Sequence, residues 1–412
     1  MDLNLTRQSL SKAITAFGLD LYNKLNSGDI CKNIFFSPTS MSTALGMVLI
    51  GASGNSKMQI EKVLHFAKTR RGAGPLDSER RVAEVVPEYG REGAFSLPAE
   101  GAIYSEFKQL LIQLNNLSHG YQLKLANSLF MQKGYQFLQQ YLTRTKEIYN
   151  ATLQTVDFFN AAEETRETIN LEVYRQTQGN IKELFAPGVI GPQTVLVLAN
   201  AIYFKATWQH QFNPHYTTER KFRLNENETK SVYMMYQKGR FKLGHTDEKN
   251  GQILCLPYAG EVLSMFIILP NDISHLGQVE AAMTCKNLTH WLSPENLREH
   301  NVEIYMPRFT LEACYDLNLT LQGLGLTDVF SEAKADLLGM SSSRQLFLST
   351  VVHKAYMEVN EVGTEAAAAA GVAISNRSLE HYELFVADHP FLFGILHNPT
   401  NTILFLGKLC SP

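Results

Sequence analysis

The sequence lacks the cysteine patterns of a zinc site and of a disulfide-rich secreted domain. Its five cysteines, at positions 31, 255, 285, 314 and 410, are scattered and include no CxxC pair. A small, odd and dispersed set of this kind is typical of free thiols in a reducing compartment. The first residues also contain no basic segment followed by an apolar one, which a cleavable signal peptide would require. We therefore expect a cytoplasmic protein without metal or other cofactor, and release without a cleavable signal stays open.

Excess charge, catalytic motifs and long apolar runs are also scarce. The 37 basic and 40 acidic residues give a net charge of −3, so the sequence has no electrostatic footprint of nucleic-acid binding. The longest uncharged run, residues 33–56, contains polar residues, proline and glycine throughout, which indicates a buried helix rather than a membrane span. The motifs GxSxG, HExxH and the P-loop are absent. These absences argue against an enzyme and against nucleic-acid or membrane partners.

The hydrophobic periodicity predicts a mainly helical first half followed by strands. Ser37 and Pro38 have the composition of a helix start, with Ser37 as the cap. No internal repeat is visible, so we expect one α+β domain over residues 1–412 with more than one sheet. The predicted helices are residues 10–25, 37 onward, 56–65, 103–114 and 161–178, and the predicted strands are 121–131, 194–204, several between 230 and 269, 391–396 and 402–409.

Residues 67–98 interrupt this pattern. The segment contains three prolines, four glycines and two arginine pairs, at positions 70–71 and 80–81. Such a composition predicts a mobile surface-loop insertion. The arginine pairs could form a localisation signal or a protease-sensitive site, although a solvated loop is the simpler interpretation.

Residues 358–378 form the most informative segment of the chain. Gly363 and Thr364 precede five consecutive alanines, and Arg377 follows well before the end. Alternate residues of a strand share one face. The set that begins with Thr364 is uncharged and starts with small residues, so it could enter a tightly packed sheet, where a charge would cost roughly several kcal/mol. A surface helix is the alternative, because alanine is the best helix former.

Six motifs resemble those of the serpin family and occur in serpin order along nearly the whole chain. The absent signal peptide and the Cys-Ser-Pro ending are similar to the intracellular ovalbumin-type branch, clade B. The resemblance implies an α+β fold with three β-sheets, eight to nine helices and an exposed reactive-centre loop, here residues 362–383. The six motifs are Asn33–Pro38, Asn200–Trp208, Met306–Phe309, Val352–Ala355, Glu361–Ala369 and Asp388–Phe393.

The resemblance also implies where a protease would cut. In the family the cut falls seventeen residues from the hinge glutamate, counted inclusively, which makes Arg377 the residue before the cut and Ser378 the residue after it. A guanidinium fits a deep pocket with a carboxylate at its base. The implied partner is a trypsin-like serine protease, held one to one and covalently by a monomer. A shift of one position would make Asn376 or Ser378 the specificity residue.

Two further groups of residues carry over from the family. Ser37, Ser40, Asn200 and His353 match a polar cluster under the large sheet, where the sheet must part, although satisfied core polar groups would look the same. Glu361 with Arg308 matches a salt bridge at the top of that sheet, near Trp208, worth about 0–1 kcal/mol if exposed. The implied hinge comprises Glu361, Gly363, Thr364, Glu365, Ala366, Ala367, Ala368, Ala369 and Ala370.

Three positions depart from the family pattern. Ala370 stands where many inhibitors have threonine, and Val362 stands where a charge is common; we expect both to be tolerated. Glu172 occupies a helix position where an aromatic residue is usual, so we expect different packing there. The alternative function is a non-inhibitory storage, chaperone or binding protein with the same fold. Thr364 and the alanine run argue against it, because such proteins often carry a large or charged pivot residue, or proline.

Overall fold

The computed structural model describes residues 3–28, 31–66, 100–115, 120–364 and 381–412. In these ranges nine α-helices accompany fifteen strands. The helices are α1 (Leu3–Leu25), α2 (Pro38–Gly51), α3 (Gly54–Val63), α4 (Glu100–Leu114), α5 (Gln139–Tyr149), α6 (Ala162–Gln176), α7 (Leu276–Ala282), α8 (Cys285–Trp291) and α9 (Asn318–Gly323). The strands are β1 (Ile34–Phe36), β2 (Tyr121–Gln132), β3 (Thr152–Val156), β4 (Leu196–Thr207), β5 (Thr218–Arg223), β6 (Thr229–His245), β7 (Gly251–Pro257), β8 (Leu263–Pro270), β9 (Arg298–Pro307), β10 (Phe309–Asp316), β11 (Thr350–Val359), β12 (Gly363–Thr364), β13 (Glu383–Val386), β14 (Phe391–His397) and β15 (Thr402–Leu409).

The predicted helices and strands are confirmed, although α1 begins seven residues before its predicted start and the hydrophobic pattern did not predict α5, α7, α8 and α9. The start of α2 follows the capping signal, because the Ser40 amide donates to Ser37 Oγ at 3.0 Å. Helix α2 is buried along nearly all its length, as its uncharged sequence predicts. Among the described residues, no helix is long and apolar enough to cross a membrane.

A six-stranded sheet forms one layer, in the order β10-β11-β4-β2-β3, with the short β12 added beside β4. Its two central strands, β11 and β4, are parallel and directly hydrogen-bonded, with His353 opposite Asn200. Both strands therefore end at the same edge of the sheet, which we call the upper edge. Helix α6 covers one face, where Ile169 and Val173 pack with Phe130 of β2.

The remaining strands form one hydrogen-bonded network of nine, in the order β1-β15-β14-β8-β7-β6-β9-β13, with β5 beside β6. The long strand β6 pairs with β5 near its start and with β7 near its end, and β9 runs beside most of it. Because β6 pairs with both β5 and β7, two of the three expected sheets are joined into one hydrogen-bonded network. The described ranges thus combine helices with separate sheets, as the α+β prediction requires.

Two predicted segments fall wholly or mostly outside the described part of the chain. They are the insertion at residues 67–98 and most of the expected loop at 362–383, of which the structure describes residues 362–364 and 381–383. The boundaries of both segments therefore stay predictions.

Candidate functional site

The four polar residues expected under the large sheet do lie together, at the boundary between β4 and β11. The Asn200 side chain is fully buried on β4 and faces α2 and both neighbouring strands. Its amide nitrogen donates to Ser40 Oγ at 2.8 Å and to Asn127 Oδ1 on β2. Its oxygen is bonded to the ring of His353 on β11. One side chain thus ties three strands and a helix together.

The His353 imidazole must be neutral in this arrangement. Its Nε2 accepts a hydrogen bond from the Ser37 amide at 3.0 Å, so the proton is on Nδ1, which donates to Asn200 Oδ1. Burial lowers the pKa of His353 to about 3, because a charged ring could not be solvated there. The ring therefore connects the start of α2 to the centre of the sheet without carrying charge.

Ser37 also connects this cluster to the second sheet. Its hydroxyl donates to the Leu404 carbonyl of β15 at 2.6 Å while it accepts from the Ser40 amide. The buried polar groups of the cluster are therefore satisfied by one another, as low-dielectric surroundings require. Separation of β4 from β11 would break the Asn200–His353 bond in particular.

A second polar contact lies at the upper edge of the sheet. The Arg308 guanidinium donates through Nε to Glu361 Oε1 at 2.6 Å, and Thr217 also donates to this carboxylate. The Glu361 side chain is only 5% exposed, whereas that of Arg308 is 42% exposed. The expected salt bridge is present, but it is no longer a purely surface pair, since its acidic partner is buried and depends on Arg308 and Thr217 for compensation.

The backbone just before the alanine run is held against β4. Trp208 stacks on Tyr258 with ring centroids 4.5 Å apart, and its indole nitrogen donates to the Asn360 carbonyl at 3.0 Å. Its amide donates to the Val362 carbonyl at 2.9 Å. The next two residues form β12, with Gly363 opposite Thr207. The chain therefore enters the expected hinge along the upper end of β4.

Gly363 is the position where this approach leaves no room for a side chain. Its φ is +148°, a conformation that other residues rarely adopt. A Cβ atom at this position would lie 2.2 Å from the Ala206 carbonyl oxygen and 2.7 Å from Thr207 Cα. The close contact between the hinge and β4 thus requires glycine.

Most of the expected hinge and the whole expected reactive bond are outside the described ranges. The hinge residues concerned are Glu365, Ala366, Ala367, Ala368, Ala369 and Ala370, and the reactive bond is that between Arg377 and Ser378. Their assignment stays a prediction from the sequence.

Asn127 and Thr217 also contact the site, although no motif in the sequence indicated them. Asn127 accepts from Asn200, and Thr217 donates to Glu361. Asn127 could have been suspected, because an amide side chain in a strand that is predicted to be largely buried needs a buried partner.

Glu172, one of the three positions that depart from the family pattern, has hydrogen-bond partners on α6. Its carboxylate accepts from Arg175 at 2.7 Å and from Gln176 at 2.6 Å. The Gln176 amide also donates to Ser128 and Thr152 on β2 and β3. The hydrogen bond and charge of Arg175 lower the pKa of Glu172. The position is therefore occupied by a polar network rather than by an aromatic ring.

Comparison with known families agrees with this geometry. A family model described as Serpin (serine protease inhibitor) matches residues 12–412. The chain belongs to the serpin family. This serpin is 45% identical to Serpin B11 of Homo sapiens and 45% identical to the leukocyte elastase inhibitor of Sus scrofa, in each case over 98% of this chain and 100% of the relative.

Solved structures give the same picture. Uncleaved ovalbumin aligns with a TM-score of 0.83 and 33% identity, covering 98% of this serpin and 100% of that chain. The relatives place this serpin in the ovalbumin-type branch, clade B. Members of this family are known as protease inhibitors rather than as catalysts.

Proposed function

We propose that this serpin is a suicide-substrate inhibitor of trypsin-like serine proteases. One serpin molecule traps one protease molecule, and the serpin supplies no catalytic group. The observation that carries the proposal is the position of β12. Gly363 and Thr364 of the hinge already pair with β4, beside the junction of β4 with β11. Continued pairing in the same direction would add the alanine run as a new central strand.

The target class follows from Arg377. Its guanidinium would enter a pocket with a carboxylate at the base. The protease serine oxygen then bonds to the Arg377 carbonyl carbon, the bond to the Ser378 nitrogen breaks, and the protease supplies the proton that this amine takes. The product is an acyl-enzyme ester at Arg377 and a free amino terminus at Ser378.

Cleavage frees the hinge to insert while the ester is intact. About fourteen inserted residues, at a net of roughly 0.5–1.5 kcal/mol for each hydrogen bond, would release on the order of ten kcal/mol. The intact loop is tethered at both ends and cannot reach this state without opening the sheet. The native form is therefore kinetically trapped, and insertion carries the acylated protease away and distorts it.

We also propose that the protein acts in the cytoplasm as a monomer. The ovalbumin-type relatives and the scattered, unpatterned cysteines support this placement.

The likeness to ovalbumin favours one alternative, a storage, chaperone or binding protein that does not inhibit. Heat distinguishes the two functions. An inhibitor should gain much thermal stability once the loop is cut, because the inserted strand adds a ladder of hydrogen bonds, whereas a non-inhibitor should melt at an unchanged temperature.

The direct test mixes the purified protein with trypsin at near-equimolar ratio and separates the products on a denaturing gel. A band at the summed mass that survives SDS would support covalent trapping. A cleaved serpin band with trypsin still active would contradict inhibition and favour the alternative.

A further inference from the structure

Two of the five cysteines lie close together where the start of β1 runs beside the end of β15. These two strands pair in antiparallel fashion, with Ile34 opposite Lys408. Cys31 lies just before β1, and Cys410 lies just after β15. The pairing of two distant strands thus brings together two thiols that are separated by nearly the whole chain.

The segment before β1 is held against the end of β15 by direct contacts. The Cys410 thiol donates to the Lys32 carbonyl oxygen at 3.7 Å. Asn33 Oδ1 accepts from the amides of Cys410, at 2.7 Å, and Ser411, at 3.0 Å. The Asn33 side-chain amide also donates to the Ser411 carbonyl at 2.7 Å. Lys32 and Asn33 therefore lie directly against Cys410, and Cys31 is the next residue.

The separation of the two cysteines suits a disulfide bond. Continued two residues beyond its outermost pair, the register places Lys32 opposite Cys410, in agreement with the contact between them. Neighbouring strands are about 5 Å apart and each residue advances by about 3.4 Å, so Cα atoms one residue off register are about 6 Å apart. Disulfide-bonded cysteines have Cα atoms about 4.4–6.8 Å apart. Because Cys31 lies outside β1, its side chain is not bound to the alternation of a strand and can turn toward Cys410.

The two thiols differ in accessibility. Cys31 is exposed, whereas Cys410 is only 2% exposed. A disulfide in solution can therefore react with Cys31 but not with Cys410, and the buried thiol can react only with a sulfur on the segment that covers it. This arrangement is typical of a redox-responsive site, in which an exposed cysteine reacts first and a neighbouring cysteine resolves the product.

We propose that Cys31 and Cys410 form a dithiol site that reacts with glutathione disulfide. The Cys31 thiolate attacks one sulfur of glutathione disulfide, and the other sulfur leaves as a glutathione thiolate. The Cys410 thiolate then attacks the Cys31 sulfur, the protein disulfide forms and the second glutathione thiolate leaves. The two glutathione thiolates take the two protons that the protein thiols lose. The protein is thus oxidised by two electrons, and one glutathione disulfide is reduced to two molecules of glutathione.

The bridge would make the covalent state of the protein depend on its compartment. A cytosolic glutathione pool keeps such thiols reduced, whereas an oxidising compartment closes the bridge. The closed bridge encloses nearly the whole chain in one covalent loop, and a long loop restricts the unfolded chain most strongly. We therefore expect the oxidised protein to resist unfolding better than the reduced protein. This chemistry is independent of the inhibitory function proposed above.

The test incubates the folded full-length protein with mixtures of glutathione and glutathione disulfide. The remaining thiols are alkylated, and the unfolded product is digested with a protease that cuts after lysine. Because Lys24, Lys32 and Lys408 are cleavage points, the bridge would link the peptide of residues 25–32 to the peptide of residues 409–412. We expect mass spectrometry to detect this link in the wild type and its loss after dithiothreitol. The melting temperature of the bridged protein should rise by roughly 5 °C.

Three variants separate the roles of the two thiols. Cys410→Ser should accumulate a mixed disulfide between Cys31 and glutathione, because the resolving thiol is missing. Cys31→Ser should form neither the bridge nor a mixed disulfide at Cys410, because that thiol is covered. Cys314→Ser is the matched control, since it removes an exposed cysteine on β10 and should leave the bridge and the rise in melting temperature unchanged.

Three results would overturn the proposal. A stable mixed disulfide at Cys31 of the wild type, with Cys410 still alkylated, would show that the buried thiol is out of reach. A link from Cys31 to any other cysteine, or to a second copy of the chain, would place its partner elsewhere. Equal melting temperatures of the bridged and the reduced wild type would contradict the restriction of the unfolded chain.

Discussion

Asn200 of β4 and His353 of β11 face each other in register, and their side chains are hydrogen-bonded across the junction of the two central strands. The bond lies in the sheet where the proposed new strand would enter. Its loss is therefore part of any opening of this sheet. Because the His353 ring also accepts from the Ser37 amide, opening disturbs the start of α2 as well.

Acid should weaken this junction. His353 has a folded-state pKa of about 3, below the ordinary value of 6.5, so the folded protein resists protonation that the unfolded chain accepts. Its contribution to the free energy of unfolding is fully present above pH 6.5 and is lost as pH falls toward 3, by roughly 1 kcal/mol per pH unit. Urea unfolding of the wild type and His353→Gln over this pH range measures the effect.

The stability difference between these two proteins should narrow as pH falls, because only the wild type contains the imidazole. Carboxylates titrate in both proteins and cancel in the comparison. Parallel pH profiles would show that the His353 ring does not resist protonation in the folded state.

Gly363→Ala should detach the hinge from β4. The added methyl group would overlap the Ala206 carbonyl, and the backbone conformation is strained for alanine, at a cost of about 1–3 kcal/mol. We expect faster hydrogen exchange in peptides that contain Trp208, because its amide donates to the Val362 carbonyl beside Gly363. Gly28→Ala is the matched control, since a Cβ at that position meets no atom within 4 Å. Equal exchange in both variants would refute the close contact.

Thr364→Arg should convert an inhibitor into a substrate. The strand alternation places this side chain on the inserting face, where a charge would be buried without a partner. The number of serpin molecules consumed per trypsin inactivated should rise several-fold. Glu365→Arg is the control, because its side chain belongs to the opposite face and is already charged in the wild type. Unchanged inhibition by Thr364→Arg would contradict the hinge assignment.

Arg377→Ala should abolish inhibition of trypsin without lowering the melting temperature, because the resemblance to serpins predicts that the reactive bond lies in an exposed loop. Arg377→Lys should keep part of the inhibition, since lysine retains the charge but loses the planar guanidinium. Residual-activity titrations of trypsin give both results. Persistent inhibition by Arg377→Ala would move the cut to another residue.

Local patterns in the sequence predicted five of the nine described helices and about half of the described strands, and family motifs identified the polar cluster. The register of distant strands was not predictable in this way. Asn127 joins the cluster only because β2 pairs with β4 so that Asn127 lies opposite Asn200. Thr217 reaches Glu361 from a segment 144 residues earlier. The nine-stranded network likewise depends on pairing between β6 and β9, which are distant in the sequence. Hydrophobic periodicity describes single strands and does not predict such pairing.

The pairing of Gly363 and Thr364 with β4 has a kinetic consequence. Strand addition from solution must first bring two distant segments together, and this initiation carries an entropic cost. Here the first residue pairs exist before any protease arrives. Insertion would then consist of propagation alone, with each step exchanging contacts between β4 and β11 for contacts with the incoming strand. Trapping competes with hydrolysis of the ester. The rate of trapping would accordingly be limited by propagation of the new strand through the Asn200–His353 bond rather than by the search for a starting register.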